Sequence, residues 1–550
     1  MGNTVGTRAS GTWRTRRGMR TRAALATALV LTAVTPWTVS GVAQAAAPAT
    51  AAAAADSFTA QWTTQTVAPG VEVRTGVLRH ADAAPTWTVT VQAAAVNRLT
   101  GAASWAPVGD RSWAEATTQQ LRDAGFAPQL EEVVWPDYAD TPRGAMGWRL
   151  RVGSYPTQAA ATSAGKALTA AGFRTAVDWT GYDAEQPADR ESVHVAVVDP
   201  HRFQGTVEGT HHGNVAQRET TSSVAAGLGS LIGVNAGFFI TSDADGVQGT
   251  SAGVAAYDGE LQSMAAGSRA ALILENGGRN ARIADLTTTV TARAGAAAFQ
   301  VQGINRVPGK VRNCGRPGVT PTEQPRQDLT CRVGDDLVKF TPQFGAALPS
   351  GSGTQVVLDA ADRVVSVGAR GGTVPVGGSV LQGIGAAADW LSSHAELGKK
   401  IKLKDVVRDT HGRKVELGPG DSIVSAAPTL VEDGQIHIDA AAEGTLDPLD
   451  LSFGYAWSNA RQPRTMAGID REGRLILATV DGRQPGVSEG FTLAEAAHFM
   501  RSLGAVQALN LDGGGSSAMA VDGRLVNITS DATGERPVGD TLQVLPARRG

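Results

Sequence analysis

The sequence predicts an α+β fold: a β-rich, mixed-sheet domain with few helices, preceded by a small ferredoxin-like βαββαβ domain. Three observations predict it. Past residue 190, short apolar strand patterns recur between Asp-Gly and Gly-Gly turns. Among 550 residues there are 66 glycines but only 5% aromatics, a composition rich in turns. Before residue 190, a helix pattern, an Ala-Gly-Phe exit and a strand pattern occur twice. A chain of this length exceeds a usual single core, so two or more folded units are expected.

The first 45 residues read as a signal peptide. Arg14, Arg16, Arg17, Arg20 and Arg22 form a basic head, Ala23 to Val34 an apolar stretch, and Ala43-Gln44-Ala45 a small-x-small cleavage site. Pro36, Thr38 and Ser40 interrupt the apolar stretch too soon for a membrane anchor. The chain is therefore expected to be secreted, without a stable membrane span after signal removal. Arg16-Arg17 leaves the choice between the general and the twin-arginine export route open. Loss of this segment removes six arginines and takes the formal charge from −3 to −9. Such a chain is a poor nucleic-acid binder, and any phosphate site must be a local arginine cluster.

Residues 46–70, opening on an alanine run, read as a linker. Residues 71–183 hold the repeat: Ser112 to Trp135 and Thr157 to Trp179 each run helix, Ala-Gly-Phe, strand. Gly125 and Gly172 are placed to end the helices. Strands at Thr86 to Val91 and Trp148 to Gly153 complete the βαββαβ order. The segment Trp148 to Phe173 resembles a SPOR domain. That resemblance implies binding to the glycan strands of peptidoglycan, and hence a protein associated with the cell wall.

A polar boundary, Tyr182 to Arg190 with Pro187, separates this part from residues 190–550. Strands are predicted at Val193 to Val198, Gln355 to Leu358, Arg474 to Val480 and Val506 to Leu511. One helix stands out: Thr492 and Glu495 form a capping box, the apolar residues from Leu493 to Leu503 recur at helical spacing, and Gly504 ends it. Cys314 and Cys331 are the two cysteines of the chain, and in an exported protein they are most simply a disulfide. Two cysteines without a nearby histidine are weak evidence for zinc.

The densest chemical signal is Ala508-Leu-Asn-Leu-Asp-Gly-Gly-Gly-Ser-Ser-Ala-Met519. A strand delivers Asp512 to Gly513, Gly514 and Gly515, whose bare backbone lets a ligand approach, and Ser516 and Ser517 follow with hydroxyls. No lysine follows, so this is not a P-loop. Together with Gly233 to Phe239 (GVNAGFF), Pro463 to Asp470 (PRTMAGID) and Gly534 to Val538 (GERPV), the run resembles the phosphodiester glycosidase family. The resemblance covers roughly residues 190–550, with several motifs in the family's order.

Hydrolysis of a sugar-1-phosphodiester at its anomeric carbon expels a phosphate monoester, whose second pKa near 6 lets it leave without a strong acid. What remains to be supplied is an arginine clamp, a carboxylate at the anomeric centre and hydrogen bonds to the sugar. The resemblance implies Asp512, then Asp470, as catalytic carboxylate. It implies Arg464, Arg306, Arg483 and Arg536 for phosphate, and Asn235 with the Gly513–Ser517 loop for the sugar. No cofactor is implied, and a bound divalent cation is left open. Glu495 is explained by its cap, His211 and His212 diverge, and His498 lies on the helix. Where family members carry a glycine pair before proline, this chain has Ala426-Ala427-Pro428, which narrows the site if those positions face it. The expected function is secreted hydrolysis of sugar-1-phosphodiesters in cell-wall or capsular polymers. The alternatives are a catalytically idle wall-binding protein and a phosphodiesterase cutting the other P–O bond.

Overall fold

The computed structural model describes residues 59–79, 84–184, 190–314 and 325–547. The signal peptide and the first part of the expected linker lie outside the described residues. Among these residues no helix is long and apolar enough to cross a membrane.

One of two eight-stranded sheets runs in the order 59–68, 71–79, 190–198, 475–480, 464–470, 505–510, 429–432, 435–436. Its first hairpin, Thr59–Ala68 with Val71–Arg79, falls where composition predicts linker and the start of the small domain. Pro69-Gly70, with Gly70 at φ 81°, makes its turn. Strand Val71–Arg79 then pairs antiparallel with Arg190–Val198, so it belongs to the large sheet. A five-stranded sheet (206–210, 541–545, 232–235, 519–521, 524–525) and a second large sheet built on 422–425 and 269–275 complete the frame of the site. One core joins the three: Val73 and Leu477, Val234 and Leu542, and Leu272 and Val424 pack together fully or nearly fully buried. Each such side chain contributes about 1.5–3 kcal/mol by leaving water.

The small domain has the predicted βαββαβ order, with strands Trp87–Val91, Pro128–Val134, Ala145–Tyr155 and Thr175–Trp179 around helices Arg111–Asp123 and Gln158–Ala170. Asp110 and Thr157 cap the helices through their side chains. Leu121 and Leu168, at equivalent places of the sequence repeat, are both fully buried with Val89 and Leu150. The domain is an insertion: it leaves after Val71–Arg79 and returns at Arg190–Val198, two strands that lie side by side. Its first and last strands pair with each other, Trp87 opposite Trp179.

A buried ionic knot ties the insertion to the large domain. Arg149 donates to Glu131 at 2.8 Å and to the Tyr455 hydroxyl at 3.1 Å, and both Arg149 and Arg151 pair with Asp183. Arg98 reaches Asp447 and Asp450 at 3.0 Å each. Helix Leu493–Ser502 shows both halves of its capping box and buries Leu493, Ala496 and Met500 against the large sheet.

Candidate active site

Strand Ala505–Asn510 runs beside Arg464–Asp470, Met466 opposite Asn510. Beyond it the chain is held on both sides: the Leu511 amide donates to Thr465 (2.8 Å), that of Asp512 to Ala236 (2.9 Å) and that of Gly514 to Pro463 (2.9 Å). A 3-10 turn over Gly514–Ser516 follows, with Gly514 at φ 60°. The Asn235 side chain donates to the Asp512 carbonyl (2.6 Å) and accepts from the Thr465 hydroxyl (2.6 Å) and the Ala518 amide (3.1 Å). Fully buried and with its amide so engaged, Asn235 is a clamp under the loop rather than a hand for sugar.

The Asp512 carboxylate accepts from the Gly513 amide at 3.0 Å. Burial pushes its pKa up to about 7, against the pull of the nearby Ser516 hydroxyl, the Gly513 amide and Arg536. Ser516 stands near enough to act on that charge, yet its hydroxyl and that of Ser517 make no geometrically formed hydrogen bond and are both buried.

Two guanidiniums cross the loop where it lacks side chains. A Cβ on Gly514 would lie 3.1 Å from Nη2 of Arg483, and one on Gly515 would run into Arg536 and Asp531. Asp531 holds Arg536 in a two-point fork at 2.8 and 2.9 Å. Arg483, itself at φ 58°, donates through Nε to Gln462 at 2.6 Å. Although Arg483 reaches solvent, crowding on its protein side and then repulsion from Arg536 lower its pKa. Adjacent arginines that repel one another mark a place suited to an anion.

The remaining candidates go elsewhere. Arg464 is buried beneath the loop, donating to the carbonyls of Phe491 (2.9 Å), Trp457 (2.5 Å) and Ala460 (3.4 Å) and stacking 4.9 Å from the Trp457 ring centre. Burial brings its pKa down to about 10. Arg306 is not brought to Asp512: it is forked onto buried Asp336 (2.5 and 2.8 Å) and bonds the Gln302 and Lys310 carbonyls. The cavity of about 50 Å³ that it lines with Ile240 and Met264 does not include Asp512. Asp470 also stays apart. It closes the far end of its strand, opposite Ala505, where it accepts from the Glu472 and Arg474 amides and pairs with Nε of Arg474 at 2.5 Å. A carboxylate four residues before an arginine, at a turn, has found its partner locally.

Ala426 and Ala427 are fully buried members of the main core, so their methyl groups do not narrow an exposed part of the site. Cys314 and Cys331 form the expected disulfide. Sequence reasoning missed Asp531 and Asp540. Asp540 accepts from the Gly237 amide (2.8 Å) and the Tyr257 hydroxyl (2.7 Å) on the other side of the segment that holds Asp512, and burial raises its pKa. Both acids flank the GERPV motif, and that adjacency was the available signal.

Comparison with known proteins places these features. Residues 352–545 match the phosphodiester glycosidase family, and residues 88–178 match the SPOR domain. N-acetylglucosamine-1-phosphodiester alpha-N-acetylglucosaminidase of Mus musculus is 34% identical over 116 residues, 21% of this chain and 22% of that protein. The SPbeta prophage-derived protein YomE of Bacillus subtilis (strain 168) is 42% identical over 86 residues, 16% of this chain and 13% of that protein. The matched part of the chain thus spans less than a quarter of either relative's length. A crystal structure from Burkholderia pseudomallei K96243 superposes with a TM-score of 0.76 at 33% identity, covering 89% of this chain and 97% of that one. The chain carries a phosphodiester glycosidase domain, matched over residues 352–545, and a SPOR domain inserted between two neighbouring strands of an eight-stranded sheet.

Proposed function

We propose that this chain is a secreted hydrolase that cleaves the sugar–phosphate bond of sugar-1-phosphodiesters in cell-wall or capsular glycopolymers. The observation that carries the reading is the glycine loop: a carboxylate with a pKa near 7 beneath two guanidiniums admitted by Gly514 and Gly515. Arg483 and Arg536 bind the phosphate, matching planar donors to two oxygens. Asp512 acts at the anomeric carbon, where positive charge develops as the bond to the phosphate oxygen breaks. That oxygen leaves with the bonding electrons as a phosphate monoester, water supplies the new C1–O bond, and the proton released goes to base or solvent. Ser516 and Ser517 keep their hydroxyls inside the loop, Ser516 beside Asp512, with Asn235 and Arg464 holding the loop from below.

Hydrolysis of a GlcNAc-1-phosphodiester in ¹⁸O water tests the bond assignment. Label in the sugar supports this reading; label in the phosphate reassigns the chain as a phosphodiesterase, and no turnover leaves a wall-binding protein. The SPOR domain adds the second half of the proposal, retention on peptidoglycan glycan strands. Co-sedimentation of the whole protein with sacculi should rise when an amidase strips the stem peptides, and equal background binding in both cases would remove that half.

A further inference from the structure

The segment that leaves the inserted domain grips the loop that carries Arg483. The Trp179 indole N–H donates to the Glu489 carboxylate, and Gly181 lies so close that a Cβ there would collide with the same group. The carbonyl of Glu489 in turn accepts from the Arg483 amide at 3.3 Å. A second grip reaches the same side chain. The Arg461 amide donates to the Tyr182 carbonyl (2.7 Å), and its guanidinium donates to the carbonyls of Gly181 (2.7 Å) and Ala184 (3.0 Å). The next residue, Gln462, is the one that holds Nε of Arg483 at 2.6 Å. Immediately downstream, fully buried Glu191 accepts from the Ser488 hydroxyl (2.7 Å) and the amides of Glu489 (3.0 Å) and Gly490 (2.8 Å), fixing the base of the loop.

We propose that the inserted domain is a working wall of the catalytic site, with Trp179 and Gly181 as positioning residues that set Arg483 over the glycine loop for phosphate. This rests on the reading of Arg483 as a phosphate ligand given above. The contact is oriented and charge-assisted: an indole N–H has one direction of donation, so the Glu489 carboxylate is held at a single place. Displacing that carboxylate shifts the Glu489 backbone, and with it the bond to the Arg483 amide. Electrostatics agree with the placement. Burial, then the charge of Glu489, push the Tyr182 phenol up to about 12, and Arg483 pulls the other way, so exit segment and arginine share one field.

The test uses the full chain with Trp179→Phe, which keeps the ring against Trp87 but removes the donor, and Gly181→Ala, which pushes on Glu489 from the other side. Inorganic phosphate and free GlcNAc serve as competing ligands, and Arg483→Ala as reference. Because Trp179 and Gly181 act on Arg483 only through Glu489, the expected effect is the worth of an ordinary hydrogen bond, roughly a three- to tenfold rise in KM and in the inhibition constant of phosphate. Inhibition by GlcNAc, kcat and melting temperature should change little. The proposal is overturned if phosphate inhibition is unaltered in both variants while Arg483→Ala weakens it. It is also overturned if phosphate and GlcNAc weaken together, the sign of general loosening. If Arg483→Ala leaves phosphate inhibition untouched, the assignment of Arg483 itself fails and the positioning role falls with it.

Discussion

Asp512 is held in a place that penalises its charge, and that has consequences for both stability and rate. Its pKa of about 7 in the folded chain exceeds the roughly 3.9 of an unfolded aspartate. A raised carboxylate stabilises the fold fully below the unfolded value and loses that contribution as pH rises through 7. Asp512→Asn should therefore melt above the wild type at pH 8, with the gap closing near pH 4. A gap independent of pH would show that the carboxylate is not buried as described. The same variant should lose about 10²-fold or more in kcat, as for other positioned charges. Because the leaving phosphate needs no acid, wild-type kcat/KM should climb as pH rises through about 7. Asp512 was legible in sequence because strand, carboxylate and glycines are contiguous. Asp470 misled, since its turn partner Arg474 satisfies it at the wrong end of the strand. Arg464 is a motif arginine that the fold uses inside. Its truncation to alanine should cost about 1–3 kcal/mol of stability by orphaning buried carbonyls, rather than raise KM alone.

At the scale of elements, the glycine loop works by what it lacks. Gly515→Ala would force the Arg536–Asp531 fork off the loop, so KM for a phosphodiester should rise roughly tenfold or more, the worth of a displaced charge-assisted pair. Steady-state kinetics beside a melting curve check it. Unchanged KM would mean that Arg536 does not touch substrate. The helix Leu493–Ser502 was readable to its cap because capping chemistry is local. So were the two small-domain helices with their glycine exits. The strand Thr59–Ala68 was not, since an alternation of Thr and Gln outside a sheet edge looks like linker. Pro69-Gly70 was the overlooked sign that a hairpin begins there.

Across the whole molecule, order along the chain and order in space part company. The small domain's topology could be read from its own repeat, but its status as an insertion could not. Nothing local tells Val71–Arg79 that its neighbour is Arg190–Val198, because the hydrogen bonds that decide it span the entire domain. That pairing also governs how the protein reaches its native state. In an unfolded chain, roughly 110 residues must be closed into a loop before these strands meet. Once the insertion has folded, Thr86 and Thr180 bond each other reciprocally at 2.9 Å, and only about 15 residues remain to be closed. By the logarithmic cost of loop closure this lowers the entropic barrier by about 2 kcal/mol. The insertion should thus fold first and act as a clasp for the large sheet. Leu150→Ala, which opens a cavity in the small core, should weaken that domain by about 2–5 kcal/mol. In stopped-flow refolding it should slow the appearance of the large sheet by up to tenfold or so, although Leu150 belongs to no strand of that sheet. A refolding rate indifferent to Leu150→Ala would mean that the two strands find each other across an unfolded span.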